Sequence, residues 1–429
     1  MARLHVPTLC FATRFSSRNT QASRSPLRQP ALARLISCGR LVIYGDKSAL
    51  GFWKRSFEHS RFPPRSARLA MVATVLTLAL CGFCAAQTVV LRDAPETKFP
   101  SRTDSNSPVH WDGDTFHIFN SIGNPFRGVG SSQFDAAGPI MVKYNNKING
   151  LRWIECTCKN DDGVLYGWYH NEPGGLCKGT TLTAPRIGMA RSTDNGLTWT
   201  DLGLVLEARP GTLDCSAKNG YFAGGNGDFS GILGHDKKYF YLFFSAYAGE
   251  TSEQGVCVAR MAWKDRDKPS GKVWKYFNGK WNEPGIGGRL TPVFPAEVNW
   301  RLEDANAFWG PSIHWNTHLK QYVMLLNRTC CRHGWPQEGF YATFAKGLSD
   351  PKSWSVPKKF LDGGKTHGLW YPEVVGVNIK AKETDKLVGR QARFYIHGTS
   401  KQEMIFFKAG EDTTKLPPVY KPAEQPEAK

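Results

Sequence analysis

The chain repeats a strand, a polar turn and an aromatic-rich strand, and this repeat constrains its fold more than any other feature. Ser107-Pro-Val-His-Trp-Asp-Gly-Asp-Thr-Phe-His-Ile-Phe-Asn-Ser121 returns as Gly310-Pro-Ser-Ile-His-Trp-Asn, followed by Gln321-Tyr-Val-Met-Leu-Leu-Asn327. A third copy opens at Gly227-Asp-Phe-Ser-Gly-Ile and continues as Tyr239-Phe-Tyr-Leu-Phe-Phe-Ser245. Such a hairpin cannot bury both apolar faces by itself, so copies must pack on one another. Widely spaced repeats of this type predict an all-β, five-bladed β-propeller.

Five segments open the expected blades, near Ser107, Leu151, Asp228, Trp309 and Trp370. Alternating apolar residues, high aromatic content and Gly/Pro/Asn/Asp boundaries favour strands in each. No long amphipathic helix is evident. Residues 87–408 are expected to form the propeller, and residues 409–429, rich in Pro, Glu and Lys, a disordered tail.

The first 68 residues hold 13 Lys/Arg against two acids, Asp46 and Glu58. They read as a basic leader, either a mis-assigned start or an organelle-targeting segment. Residues 69–86 resemble a signal-peptide core, with cleavage expected before Gln87. A secreted or periplasmic protein follows from this. The uncharged run Leu69–Leu91 leaves membrane anchoring as the alternative.

Residues 87–429 carry 42 Lys/Arg and 35 Asp/Glu, a net charge of +7. This balance calls for no nucleic-acid partner and is compatible with a polyanionic substrate. No stable membrane partner is expected, and the chain is expected to be a monomer. Seven cysteines remain after the leader, which predicts one to three disulfides and at least one free thiol. Cys156-Thr-Cys158 is spaced too tightly for the usual zinc pair. Neither a metal ion nor a cofactor is expected, and no phosphate loop, HExxH motif or nucleophile elbow occurs.

Ser192-Thr-Asp-Asn-Gly-Leu-Thr-Trp199 matches the Asp-box pattern of sialidases, S-x-D-x-G-x-x-W. Physically it is a turn device. Asp194 can satisfy turn amides, Gly196 permits positive φ, and Trp199 can pack beneath. Asp194 is therefore assigned to the fold and not to chemistry.

On its blade-opening strands, the chain resembles the five-bladed propeller glycosidases of the arabinanase/xylosidase and invertase/levansucrase superfamily. The likeness spans roughly residues 100–405. It implies acids converging on a central funnel, two of them flanking a scissile bond. Gly227-Asp-Phe-Ser resembles the third-blade motif and implies a pKa-tuning role for Asp228. The chain departs from the pattern where the family has its other two acids, with Ser107-Pro108 in the first blade and Trp309-Gly-Pro in the fourth.

Glu155 and Glu373 are the further catalytic candidates, because an acid among apolar strand residues is costly to bury unless paired or used. Asp104, Glu303 and Asp304 are loop acids near the altered motifs. His170, Glu172, Arg186, His367, Trp309 and Trp370 are candidates for substrate binding. His110 and His314 recur at equivalent repeat positions and read as packing residues. The expected function is an exported carbohydrate-active enzyme, a glycoside hydrolase using carboxylate acid/base chemistry. A non-catalytic glycan-binding propeller and a polysaccharide lyase are the alternatives.

Overall fold

The computed structural model describes residues 87–364 and 369–421. The expected leader, the signal-like segment and His367 lie outside the described residues. Five sheets form a five-bladed β-propeller. Their inner strands are Val109–Asp112, Leu151–Lys159, Asn226–Leu233, Asn306–Asn316 and Pro372–Gly376. The middle three lie against one another around the axis and against the inner strands of the first and fifth blades.

Ring closure uses a strand that sequence reading did not assign. Thr88–Lys98 pairs antiparallel with Thr399–Phe407 and completes the fifth blade. The first and last strands of the propeller thus pair with each other through backbone hydrogen bonds, with Thr88–Lys98 as the outer strand of the fifth blade. Blades two, three and four exceed the four-strand pattern through short additions, including Lys143–Tyr144, Lys280–Pro284 and Leu387–Val388.

Aromatic residues fill the gaps between blades. Trp168 of blade two stacks on Phe240 of blade three with centroids 3.8 Å apart. Phe119 of blade one meets Trp199 of blade two edge-on at 5.8 Å. Each large ring removes on the order of 150–250 Å² from water, so these seams supply much of the apolar burial. His314 is fully buried, and His110 stacks on His117 at 4.7 Å.

The Ser192–Trp199 turn has the expected physical form. The Asp194 carboxylate accepts the amides of Leu197 and Thr198 at 3.0 and 2.9 Å. Gly196 has φ +82°, and a Cβ there would lie 2.2 Å from the Phe119 ring. Trp199 is buried and donates to the Gly196 carbonyl at 2.9 Å.

Residues 409–421, in the tail expected to be disordered, make specific contacts with the fifth and first blades. Arg92 donates to the carbonyls of Pro417 and Pro418. The Tyr420 amide donates to Glu403 at 2.9 Å, and its ring stacks on Phe134 at 5.4 Å. These contacts hold a segment whose composition alone pointed to solvent. Among the described residues no helix is long and apolar enough to cross a membrane.

Candidate functional site at the axial cavity

Three inner strands break register at corresponding places. In blade two the pairing skips between Ile154 and Cys156, leaving Glu155 bulged. In blade three it skips between Gly227 and Phe229, leaving Asp228 bulged with φ +40°. In blade four the break spans Gly310 and Pro311, between Trp309 and Ser312. A bulge re-aims a side chain that regular alternation would place elsewhere. Here the bulges bring Glu155 and Asp228 into one axial cavity of about 310 Å³.

Asp104, His170, Glu172, Trp309 and Trp370 also line that cavity. Glu373 does not. It pairs in register with Tyr395, and its Oε2 accepts the Ser107 amide at 2.8 Å. Its other oxygen has no hydrogen-bond partner among the described residues. The expected convergence of three acids is thus corrected to Glu155 and Asp228, with Asp104 arriving from the loop before blade one. Arg186 also stays outside. Its Nε donates to Asn171 at 2.7 Å, and it faces a separate recess containing Glu207 and Arg209. Glu303 and Asp304 are exposed and do not line the cavity.

A proton network joins the acids. Glu155 Oε2 accepts the Phe229 amide at 2.7 Å. Its Oε1 lies 3.2 Å from His170 Nδ1, and His170 Nε2 lies 3.1 Å from Glu172 Oε1. Two flanking carboxylates favour a doubly protonated imidazolium. The Asp228 amide, 3.1 Å from Nδ1, favours the opposite state, in which Nδ1 is an acceptor. The edge therefore supports a proton on either His170 or Glu155.

Burial pushes the Glu155 carboxyl up to about 7, against the pull of His170, while the Asp228 charge pushes it further up. Burial opposes charging of His170, but its bonds to Glu155 and Glu172 outweigh this and hold it well above its usual value. Asp228 is raised by burial, although His170 and the hydroxyls of Tyr247 and Tyr371 favour its ionised form. Tyr371 donates to Oδ1 at 2.9 Å, and Tyr247 to Oδ2. Asp104 is raised by burial first and by Asp228 second.

Glu155, His170 and Asp228 offer ligand atoms within 4.8 Å of one another, a spacing that could hold a metal ion. Yet Phe229, His170, Tyr247 and Tyr371 already serve all four carboxylate oxygens.

Sequence reasoning missed much of the aromatic wall. Trp153, Tyr221, Phe222, Trp335 and Tyr371 all line the cavity. Trp335 packs on Trp300 at 4.6 Å, Tyr221 at 4.9 Å and Trp309 at 5.1 Å. It follows the adjacent disulfide Cys330–Cys331 in a loop without a counterpart in the repeat. The second disulfide, Cys177–Cys215, ties two other loops together, while Cys156, Cys158 and Cys257 are free.

No protein-family model and no curated protein matches the chain. Among solved structures, it is similar to a thermostable family-43 glycoside hydrolase at 10% identity, covering 76% of this chain and 98% of that one, with a TM-score of 0.47. It is also similar to an exo-1,5-α-L-arabinanase from a bovine ruminal metagenomic library, at 12% identity, 78% and 99% coverage and a TM-score of 0.43. For a putative exo-β-1,3-galactanase from Bifidobacterium bifidum the values are 12%, 73% and 92%, and 0.42. No residue role passes from these proteins to this chain.

Proposed function

We propose that the protein is a glycoside hydrolase acting on a poly- or oligosaccharide at the axial cavity. The observation that carries this reading is a carboxyl group, Glu155, raised to about 7 in an aromatic-walled cavity that it shares with Asp104 and Asp228. Glycoside hydrolysis needs one protonated and one ionised carboxyl across a scissile bond, and burial is a means of separating their pKa values. Aromatic faces suit the apolar faces of sugar rings.

Glu155 serves as the general acid in this proposal, with His170 as its proton partner. Asp104 serves as the base or nucleophile. Asp228 is the tuning anion, since its charge raises Glu155, His170 and Asp104 alike. An acid and base that admit a sugar bond stand about 5–9.5 Å apart, whereas the Glu155 and Asp228 ligand atoms approach within 4.8 Å. That closeness suits a tuning pair. We assign export to the protein from its signal-like segment alone.

Incubating the full chain with a panel of plant, fungal and bacterial glycans and measuring reducing-end release tests the reading. Turnover lost in both Glu155→Gln and Asp104→Asn, with folding kept, supports it. Glycan binding without turnover in the unmodified protein replaces it with a binding propeller. An unsaturated product absorbing near the ultraviolet edge replaces it with a lyase.

A further inference from the structure

Accepting the hydrolase reading, we propose that the sugar seated in the axial cavity carries a free ammonium group, making the substrate a glycosamine polymer or oligomer. Charge is the first argument. Among the described residues, the titratable groups lining the cavity are Asp104, Glu155, His170, Glu172 and Asp228, with Tyr221 and Tyr371, and no Lys or Arg joins them. One imidazolium cannot neutralise four carboxylates, even with one of them protonated. A carboxylated or sulfated sugar would meet like charge at close range. This overrides the compatibility with polyanions inferred from net charge.

Asp104 is the second argument. Asp228 and Tyr247 or Tyr371, and Glu155 and His170, are matched pairs. Among the described residues, none donates a hydrogen bond to the Asp104 side chain or forms an ion pair with it. Burial and the nearby Asp228 anion raise it, and the pull of His397 and His170 does not offset them, so its charge is under-compensated. An ammonium group would supply both charge and donors.

The walls are the third. Trp309, Trp335, Trp370, Tyr221 and Tyr371 surround the same space, and aromatic faces attract a cation within about 6 Å. Trp309 and Trp335 are 1% and 3% exposed, and their indole N–H groups have no partner among the described residues. A cavity of about 310 Å³ lies at the small end of ligand sites and suits one substituted ring.

Calorimetric titration of the full chain with glucosamine, N-acetylglucosamine, glucose and glucuronate tests the proposal. Glucosamine should bind at least about tenfold more tightly than glucose or its N-acetyl form, a 1.4 kcal/mol preference, with glucuronate weakest. Asp104→Asn should bring the glucosamine-to-glucose ratio towards one. Equal binding of the four sugars, a preference for glucuronate, or binding that needs added calcium would overturn it. So would an amine preference untouched by Asp104→Asn. Hydrolysis of a neutral glycan without amine preference sinks this proposal and spares the hydrolase. Amine-selective binding without turnover of any glycosamine oligomer spares the ligand class and sinks the hydrolase.

Discussion

His170 Nδ1 stands 3.2 Å from Glu155 Oε1, although the two residues are not register partners. His170 pairs with Trp153, and Glu155 is the residue that the bulge leaves without a partner. The bulge therefore converts a strand pair into a proton-sharing pair, walled off by the protein on one side and open to a cavity on the other. A buried carboxyl raised by desolvation and steadied by one specific partner is a pattern characteristic of functional sites.

Replacing Glu155 by Gln should lower turnover by at least about 10²-fold, the scale of general acid–base catalysis. The pH profile adds a sharper check. If Glu155 acts as an acid, activity falls as pH rises through about 7, where the carboxyl ionises. His170 favours that ionised form, so His170→Asn should move the alkaline limb to higher pH. A limb that stays in place, or moves down, assigns the titration to another group.

Glu373 should behave differently. Burial raises it to about 8, so it is protonated at neutral pH and an amide resembles it in shape and charge. Glu373→Gln should keep activity at pH 6 without loss of thermal stability. The wild-type group favours folding in full below the unfolded value of 4.5, and this is lost as pH rises through about 8. The variant should therefore gain in Tm relative to the unmodified protein between those pH values. Loss of turnover at pH 6 with an intact fold would return Glu373 to the chemistry.

The blades were legible because alternation and repeated hairpins act locally, as Val109–Asp112 and Asn306–Asn316 illustrate. Glu155 and Asp228 stood out as costly or motif-bearing acids. Glu373 looked equivalent in sequence because an inward-facing acid in register and a bulged one have the same apolar neighbours. Only pairing with Tyr395 or its absence separates them. Trp335 was illegible for another reason: its place depends on six aromatic neighbours drawn from an inner strand and several distant loops. The closing strand Thr88–Lys98 sits beside a signal-like segment, and its partner lies about 300 residues away.

Trp335→Ala should abolish ligand binding at the cavity and cost about 3–5 kcal/mol of stability, the usual range for emptying a buried aromatic site. Trp335→Phe keeps apolar volume but loses the indole N–H. It should retain most stability but, with a smaller aromatic face, weaken sugar binding, as read by denaturant unfolding and calorimetry. Equal binding by the Phe variant and the unmodified protein would remove the larger ring face from recognition.

The Cys177–Cys215 bridge closes a loop of 38 residues in sequence separation. Loop closure of that length restricts the unfolded chain by about 4 kcal/mol. The bridged segments flank Thr181, Thr183 and Tyr221 of the cavity wall. Cys177→Ser with Cys215→Ser should lower Tm and weaken ligand binding, leaving the blade strands protected in hydrogen exchange. Unchanged binding would show that the wall is held without the bridge.

Acid sensitivity should come from His314. Burial lowers it from 6.5 to about 3, and neither ring nitrogen has a partner among the described residues. Phe406, Lys386 and the inner strand of blade four surround it, and the nearby Lys386 cation lowers it further. Its sign is that of a base with a depressed folded pKa. Above pH 6.5 both states are neutral and nothing is lost. Below 6.5 the unfolded chain takes a proton that the fold refuses, so stability declines until pH reaches about 3. His110 and His117, lowered to about 3 and 4, add in the same direction. Replacing His314 by Gln removes one of these three protons. Urea unfolding between pH 7 and 4 should show a shallower loss in the variant, whatever its stability at pH 7. Parallel curves would show that His314 takes up its proton in the folded state, contrary to its burial.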